Sequence, residues 1–119
     1  MTAERLTKSS RLTRAADIRA LLTQGKRRRT DHLDLFCRPS PVGCSRLAVI
    51  VPLHRETAVR RNQLRRRLKE IGRRAVLPCL EAATDVLVRA RAAGYSASFE
   101  TLRRELVRTL CPSSPGAAS

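Results

Sequence analysis

A chain of 119 residues with 25 Lys and Arg against 10 Asp and Glu carries a formal charge of +15, which favours a polyanionic partner, most commonly nucleic acid. Its 42% apolar and 29% charged residues exclude a disordered chain and suffice for one small domain with its own core. No run approaches the ~20 apolar residues that cross a bilayer, and the first residues lack the apolar segment of a secretory signal, so a cytoplasmic protein with no membrane partner is expected.

In chain order, residues 1–12 read as a basic flexible arm. From Thr13 to Gln24, Ala15, Ile18, Leu21 and Leu22 keep helical spacing, with Thr13 as N-cap, Asp17 near the positive end and Gly25 as the stop. Lys26 to Thr30 is a basic extended segment. His32 to Arg38 alternates, placing Leu33, Leu35 and Cys37 on one face of a strand and Asp34, Phe36 and Arg38 on the other. Pro39, Ser40, Pro41 and Gly43 make a turn. Arg46 to Val51 runs without a polar break after Arg46, which predicts a central strand covered on both faces and stopped by Pro52. A long helix follows from about Thr57 to Val76, before Pro78. Asp85 to Ala92 is a fourth strand, with Val86, Val88 and Ala90 facing one way and Leu87, Arg89 and Arg91 the other. Ser98 caps a last helix with Phe99, Leu102, Leu106 and Leu110 as its buried stripe, and residues 112–119 read as a disordered tail. The expected fold is α+β: a two-layer α/β sandwich in the order α-β-β-β-α-β-α. One domain spans 13–111, with the long helix on one face of a four-stranded sheet.

That helix is the chemical centre of the chain. Between Arg55 and Arg74 lie eight Arg and one Lys against two Glu. At about 100° per residue, Leu64, Leu68, Ile71 and Ala75 form one narrow stripe, while Asn62, Arg66, Lys69 and Arg73 repeat the spacing opposite, with Arg65 beside them. One edge can anchor in a core while the other presents guanidinium forks suited to phosphate oxygens. A solubilising face would not need so many like charges, which repel at i,i+4; Glu70 can pair with Arg66 and Arg74 to limit that repulsion.

Little else suggests chemistry. Cys37, Cys44, Cys79 and Cys111 include no C-x-x-C pair, so no zinc site is expected. Cys37 and Cys79 are expected to pack as small hydrophobes in a reducing cytosol. His32 and His54 lack partners for acid–base work, and there is no Ser–His–Asp set, carboxylate pair or phosphate-binding glycine loop. No catalytic residue and no protein-held metal is expected.

The run A-V-R-R-N-Q-L-R-R-R-L-K-E at 58–70 resembles the signature of the protein subunit of bacterial ribonuclease P, roughly K-K-V-G-N-A-V-x-R-N-R-[IVL]-K-R-x-x-R-E. Ala58, Val59, Arg61, Asn62, Leu64, Arg66 and Glu70 match it directly, and Arg65 and Lys69 exchange one basic type for another. The opening R-L-T-K-S, the D-x-x-x-L-L-x-x-G-K-R at Asp17 to Arg27 and the late L-R-R-E-L follow the family order, so the resemblance covers roughly residues 5–110. It departs at Gln63, where the family has Arg, and at Leu53, His54, Glu56 and Thr57, which replace Lys-Lys and Gly-Asn. Ile18 and Leu22 stand where aromatics are usual.

The resemblance implies a protein that assists a catalytic RNA subunit in removing the 5′ leader of precursor tRNA, with Mg2+ bound mainly by that RNA and no obligate protein partner. It implies RNA docking through Arg61, Asn62, Gln63, Arg65, Arg66, Lys69 and Arg73, and a leader-binding cleft formed by Ile18, Leu22, Lys26, Phe36 and Arg91. Helical spacing alone also accounts for Ile18 and Leu22 as core, and Phe36 fits a core equally well. Two other readings stay open: a non-enzymatic structural RNA-binding protein resembling a ribosomal protein, and a DNA-binding helical regulator, which the four strands disfavour.

Overall fold

The computed structural model describes residues 11–111; most of the expected arm and the whole expected tail lie outside that range. The elements follow the expected order: α1 (Ala15–Gln24), β1 (Lys26–Arg29), β2 (Leu33–Pro39), β3 (Arg46–Ile50), α2 (Ala58–Ile71), β4 (Thr84–Ala90) and α3 (Phe99–Leu110). The sheet order is β1-β2-β4-β3. β2 pairs antiparallel with β1 and β4, whereas β3 and β4 are parallel neighbours joined through α2, as a strand–helix–strand crossover requires.

Strand alternation divides the apolar residues between two cores. Leu33, Leu35, Leu47, Val86, Val88 and Ala90 meet Leu64, Leu68 and Ile71 of α2 and Leu102 and Leu106 of α3. On the opposite sheet face, Phe36, Ala48 and Leu87 meet Leu12 and Leu21, with Ile18, Leu22 and Ile50 half-buried at the margin. α2 and α3 therefore cover one face, and α1 crosses part of the other.

Several boundaries differ from the sequence reading, for identifiable reasons. Thr13 is not the cap of α1; Arg14 occupies that position and supplies no side-chain bond. Residues before it run extended because Leu12 is drawn into the second core, its backbone N–H donating to the Leu47 carbonyl at 2.9 Å. Arg11 and Leu12, the end of the expected arm, are thus held on the sheet. β3, expected to be central, lies at the edge; Leu12 along that edge and cores on both faces bury it there. Phe99 is exposed on the first turn of α3, while Leu102 and Leu106 are buried as expected.

The long helix starts as predicted, with Thr57 Oγ1 accepting from Arg60 N–H at 3.2 Å. Beyond Ile71 it widens into a π-helical turn, Gly72–Val76, then a 3-10 turn, Leu77–Cys79. Gly72 lets the helix approach β3 closely, since a Cβ there would lie 2.4 Å from Leu47 Cδ2. Cys79 is not a packed thiol, as was expected, but is disulfide-bonded to Cys111, with Cα atoms 5.4 Å apart; the chain turns at the end of the long helix bring it beside the end of α3. Cys37 is free and half-buried. No helix among the described residues is long and apolar enough to cross a membrane.

Candidate nucleic-acid interface

Burial of Leu64, Leu68 and Ile71 fixes the rotation of α2, and with it the direction of its cations. Asn62, Arg65, Arg66 and Lys69 share one flank. Arg66 and Lys69 are exposed, and half-buried Arg65 donates from Nη2 to Asn62 Oδ1 at 2.9 Å. Among the described residues no carboxylate lies within ion-pair distance of Arg65, Arg66 or Lys69. The acids of this segment are engaged elsewhere: Glu56 by Arg60 at 2.7 Å, and Glu70 by Arg74 at 2.6 Å and by Arg73. Glu70 therefore pairs with Arg73 and Arg74, not with Arg66.

The other expected docking residues lie at the margins of that flank or are tied to neighbouring groups. Arg73 is turned onto Glu70. Gln63 is exposed at the margin of that flank, about 60° around the helix from Arg66 and about 120° from Lys69. Arg61 falls on the side of Leu64 and Leu68, and its Nε donates to the Val51 carbonyl at 2.9 Å, tying the first turn of α2 to the end of β3. Arg60 has a matching structural part that sequence reasoning missed. Its Nη2 donates to the Tyr95 carbonyl at 3.1 Å and its guanidinium lies 5.8 Å from the Tyr95 ring centroid. Tyr95 in turn donates its hydroxyl to the Pro52 carbonyl at 2.7 Å.

Beside the basic flank runs a groove of about 260 Å³, with Lys69 and Arg11 at its rims and Leu12, Ile18, Leu47 and Val49 among its walls. Beyond it lies the second sheet face, where strand register sets side chains in rows: Arg38, Asp85 and Arg46; then Arg27, Phe36, Leu87 and Ala48; then Arg29, Asp34, Arg89 and Ile50. Each carboxylate sits between two arginines from neighbouring strands.

The first row fastens α1. Asp85, fully buried, accepts from Arg46 Nε and Nη2 at 2.8 Å and from Arg38 Nε at 3.2 Å. The same two guanidiniums reach Asp17 of α1 at 3.4 and 3.5 Å. Burial pushes the Asp85 carboxyl upward, but the hydrogen bonds and charges of Arg46 and Arg38 outweigh it and hold it below the usual carboxylate range. Asp34 follows the same pattern, with burial opposed by Arg29 and Arg89 and the net shift downward.

Of the residues expected to line a leader cleft, Ile18, Leu22 and Phe36 come together on this second face. Phe36 is nevertheless only 3% exposed, so it does not form an open aromatic floor. Lys26 pairs with Cys37 and faces the opposite side of the sheet, beside Arg28, Leu35 and Leu110 in a groove of about 310 Å³. Arg91 donates from Nη1 to the Thr30 carbonyl at 2.8 Å and borders a recess of about 420 Å³ with Asp34, His54 and Arg89. The cations that dominate this face are Arg27, Arg29 and Arg89; the sequence marks Lys26 to Arg29 as a basic run that could track phosphates or blunt a strand edge, but its convergence with Arg89 depends on strand pairing.

A basic helix seated by its apolar edge on a mixed sheet, with a second arginine-rich face behind it, defines a small α+β RNA-binding protein. The Ribonuclease P family model matches residues 6–111, and the chain belongs to that family. Among solved structures it is similar to the RNase P protein of Thermotoga maritima in complex with 1-(4-fluorophenyl)-2-thiourea, at 27% identity and a TM-score of 0.75, covering 84% of this chain and 96% of that one. It shares its fold with the RNase P protein of Staphylococcus aureus, at 19% identity and a TM-score of 0.69, covering 87% and 93% of the two chains. No curated protein sequence matches it.

Proposed function

We propose that this chain, as the protein subunit of ribonuclease P, docks on a catalytic RNA through the α2 flank of Asn62, Arg65, Arg66 and Lys69. In this reading it also holds the 5′ leader of precursor tRNA along the second sheet face. The observation that carries the docking half is the set of three cations on one helix flank with no carboxylate of the described residues in ion-pair range. Arginines in that state give up little internal pairing when they meet phosphates, and each contact releases condensed counterions from the RNA.

The leader-binding half rests on the row of Arg29, Asp34 and Arg89 beside the recess bordered by Arg91. A cationic face lowers repulsion between substrate and catalytic RNA, and fixing the leader limits the freedom of the scissile bond. Neither contribution needs a protein nucleophile. The magnesium expected for this activity would be held by the partner RNA, where such ions activate water and stabilise a leaving oxygen.

The test is reconstitution of the full chain with its cognate catalytic RNA and measurement of precursor tRNA cleavage at low magnesium. The expected result is a clear acceleration over the RNA alone. Tight RNA binding with no acceleration would instead favour a structural RNA-binding protein.

A further inference from the structure

Phe36 is the aromatic residue that sequence places on the cleft strand, yet no ligand could lie on its ring as it stands. The residue is 3% exposed, and two guanidiniums flank its ring, with Arg27 Cζ 5.7 Å and Arg89 Cζ 5.1 Å from the centroid. Those arginine side chains are 48% and 33% exposed. Arg89 is also aimed: its Nη2 donates to Asp34 Oδ2 at 3.3 Å, while Arg29 Nε donates to Asp34 Oδ1 at 3.0 Å and Arg27 Nη2 lies 3.6 Å from the same oxygen. Asp34, whose side chain is only 7% exposed, is thus an anchor for all three cations. Strand register produces the arrangement, since Arg27 stands across from Phe36 and Asp34 stands between Arg29 and Arg89.

Each guanidinium lies within cation–π distance of the Phe36 ring and is partly open to solvent, so a planar cation is available at this surface. With Nη2 of Arg89 donated to Asp34, this residue offers a ligand a flat cation whose fork is already partly engaged. Unpaired RNA bases stack on guanidinium planes as they do on aromatic rings. We infer that Arg27 and Arg89 are the base-stacking platform of this face, backed by Phe36 and positioned by Asp34, so that this chain holds single-stranded RNA on cationic planes in place of exposed aromatic rings. The inference rests on the leader reading above and names the side chains that would carry it. It also accounts for the aliphatic Ile18 and Leu22 beside the platform, which pack against the second core.

Lysine retains the charge of arginine without its plane, which separates stacking from phosphate attraction. The probe is a short single-stranded RNA carrying 2-aminopurine, titrated with the full chain alone. The wild type is expected to quench the fluorophore on binding. Arg89→Lys and Arg27→Lys together should abolish most of the quenching and weaken binding roughly fivefold or more, the scale of losing one base stack, with the salt slope unchanged. Binding and quenching equal to wild type in the double lysine variant would overturn the platform, as would quenching that survives there but is lost in Phe36→Leu. A second titration compares precursor with mature tRNA on the reconstituted holoenzyme. Arginine-dependent quenching of the oligonucleotide without any preference for precursor tRNA would leave the platform standing and remove the leader reading. A precursor preference that both lysine exchanges leave untouched, with quenching also intact, would remove the platform alone.

Discussion

Replacing Arg65, Arg66 and Lys69 together with alanine is expected to weaken binding to the catalytic RNA by roughly a hundredfold at ~0.1 M salt, and to flatten the dependence of log K on log salt by about 2–3 units. The magnitude follows from a loss of ~0.7–0.9 per phosphate contact, one contact for each side chain. Arg66 and Lys69 are exposed and Arg65 is bonded to Asn62, so the fold should be retained and the urea midpoint nearly unmoved. An unchanged salt slope would mean that these cations are only a solvated surface. Arg61→Ala should behave differently. Because Arg61 Nε holds the Val51 carbonyl, part of its effect should appear as lost stability.

Asp85→Ala is expected to produce the largest loss of stability, about 3–5 kcal/mol, the usual cost of removing one member of a buried ion pair. The carboxylate is fully buried and accepts three bonds from Arg46 and Arg38. Its removal leaves both guanidiniums with Asp17, at 3.4 and 3.5 Å, as the remaining acid of the group. Since a small domain is stable by only ~5–15 kcal/mol, urea unfolding should show a much lower midpoint with a similar slope. The same site fixes a pH dependence. Asp85 titrates lower in the folded than in the unfolded chain, so its contribution is complete above the unfolded carboxylate value near ~4 and is lost as pH falls through the folded value. The variant should therefore lose part of the acid limb of the wild-type stability profile. An acid limb identical to that of the wild type would place the stabilising charge elsewhere.

How much of this could be read from the chain depended on the range of the interaction. The stripe of Leu64, Leu68 and Ile71 was legible because helical periodicity is local, and the opposite flank of cations came with it. The alternation of β2 also separated Leu33 and Leu35 from Asp34 and Phe36 correctly. What could not be read was pairing across strands. Asp85 meets Arg38 and Arg46 from 47 and 39 residues away, and nothing in local spacing announces it. The position of Lys26 on the far face, the edge position of β3 and the burial of Phe36 beneath Arg27 and Arg89 all follow from the same register. The bond that Arg61 makes to β3 was hidden for a different reason. The motif of the family groups it with Asn62, whereas one step of the helix turns it toward β3. Tyr95 carried a usable signal: it is the single tyrosine of the chain, and a buried phenol must find an acceptor.

The most direct test of the central claim is to ask which surface of the chain faces the catalytic RNA. An iron chelate tethered through Val59→Cys, an outward position on α2 that is 66% exposed, would generate hydroxyl radicals in the assembled holoenzyme, with Cys37 and Cys44 replaced by serine. Arg103→Cys, exposed on α3, would serve as the comparison. The expected result is localised cleavage of the catalytic RNA from position 59 and little from position 103. Cleavage from position 103 with none from position 59 would show that α2 turns its cations away from the RNA, and would contradict the account.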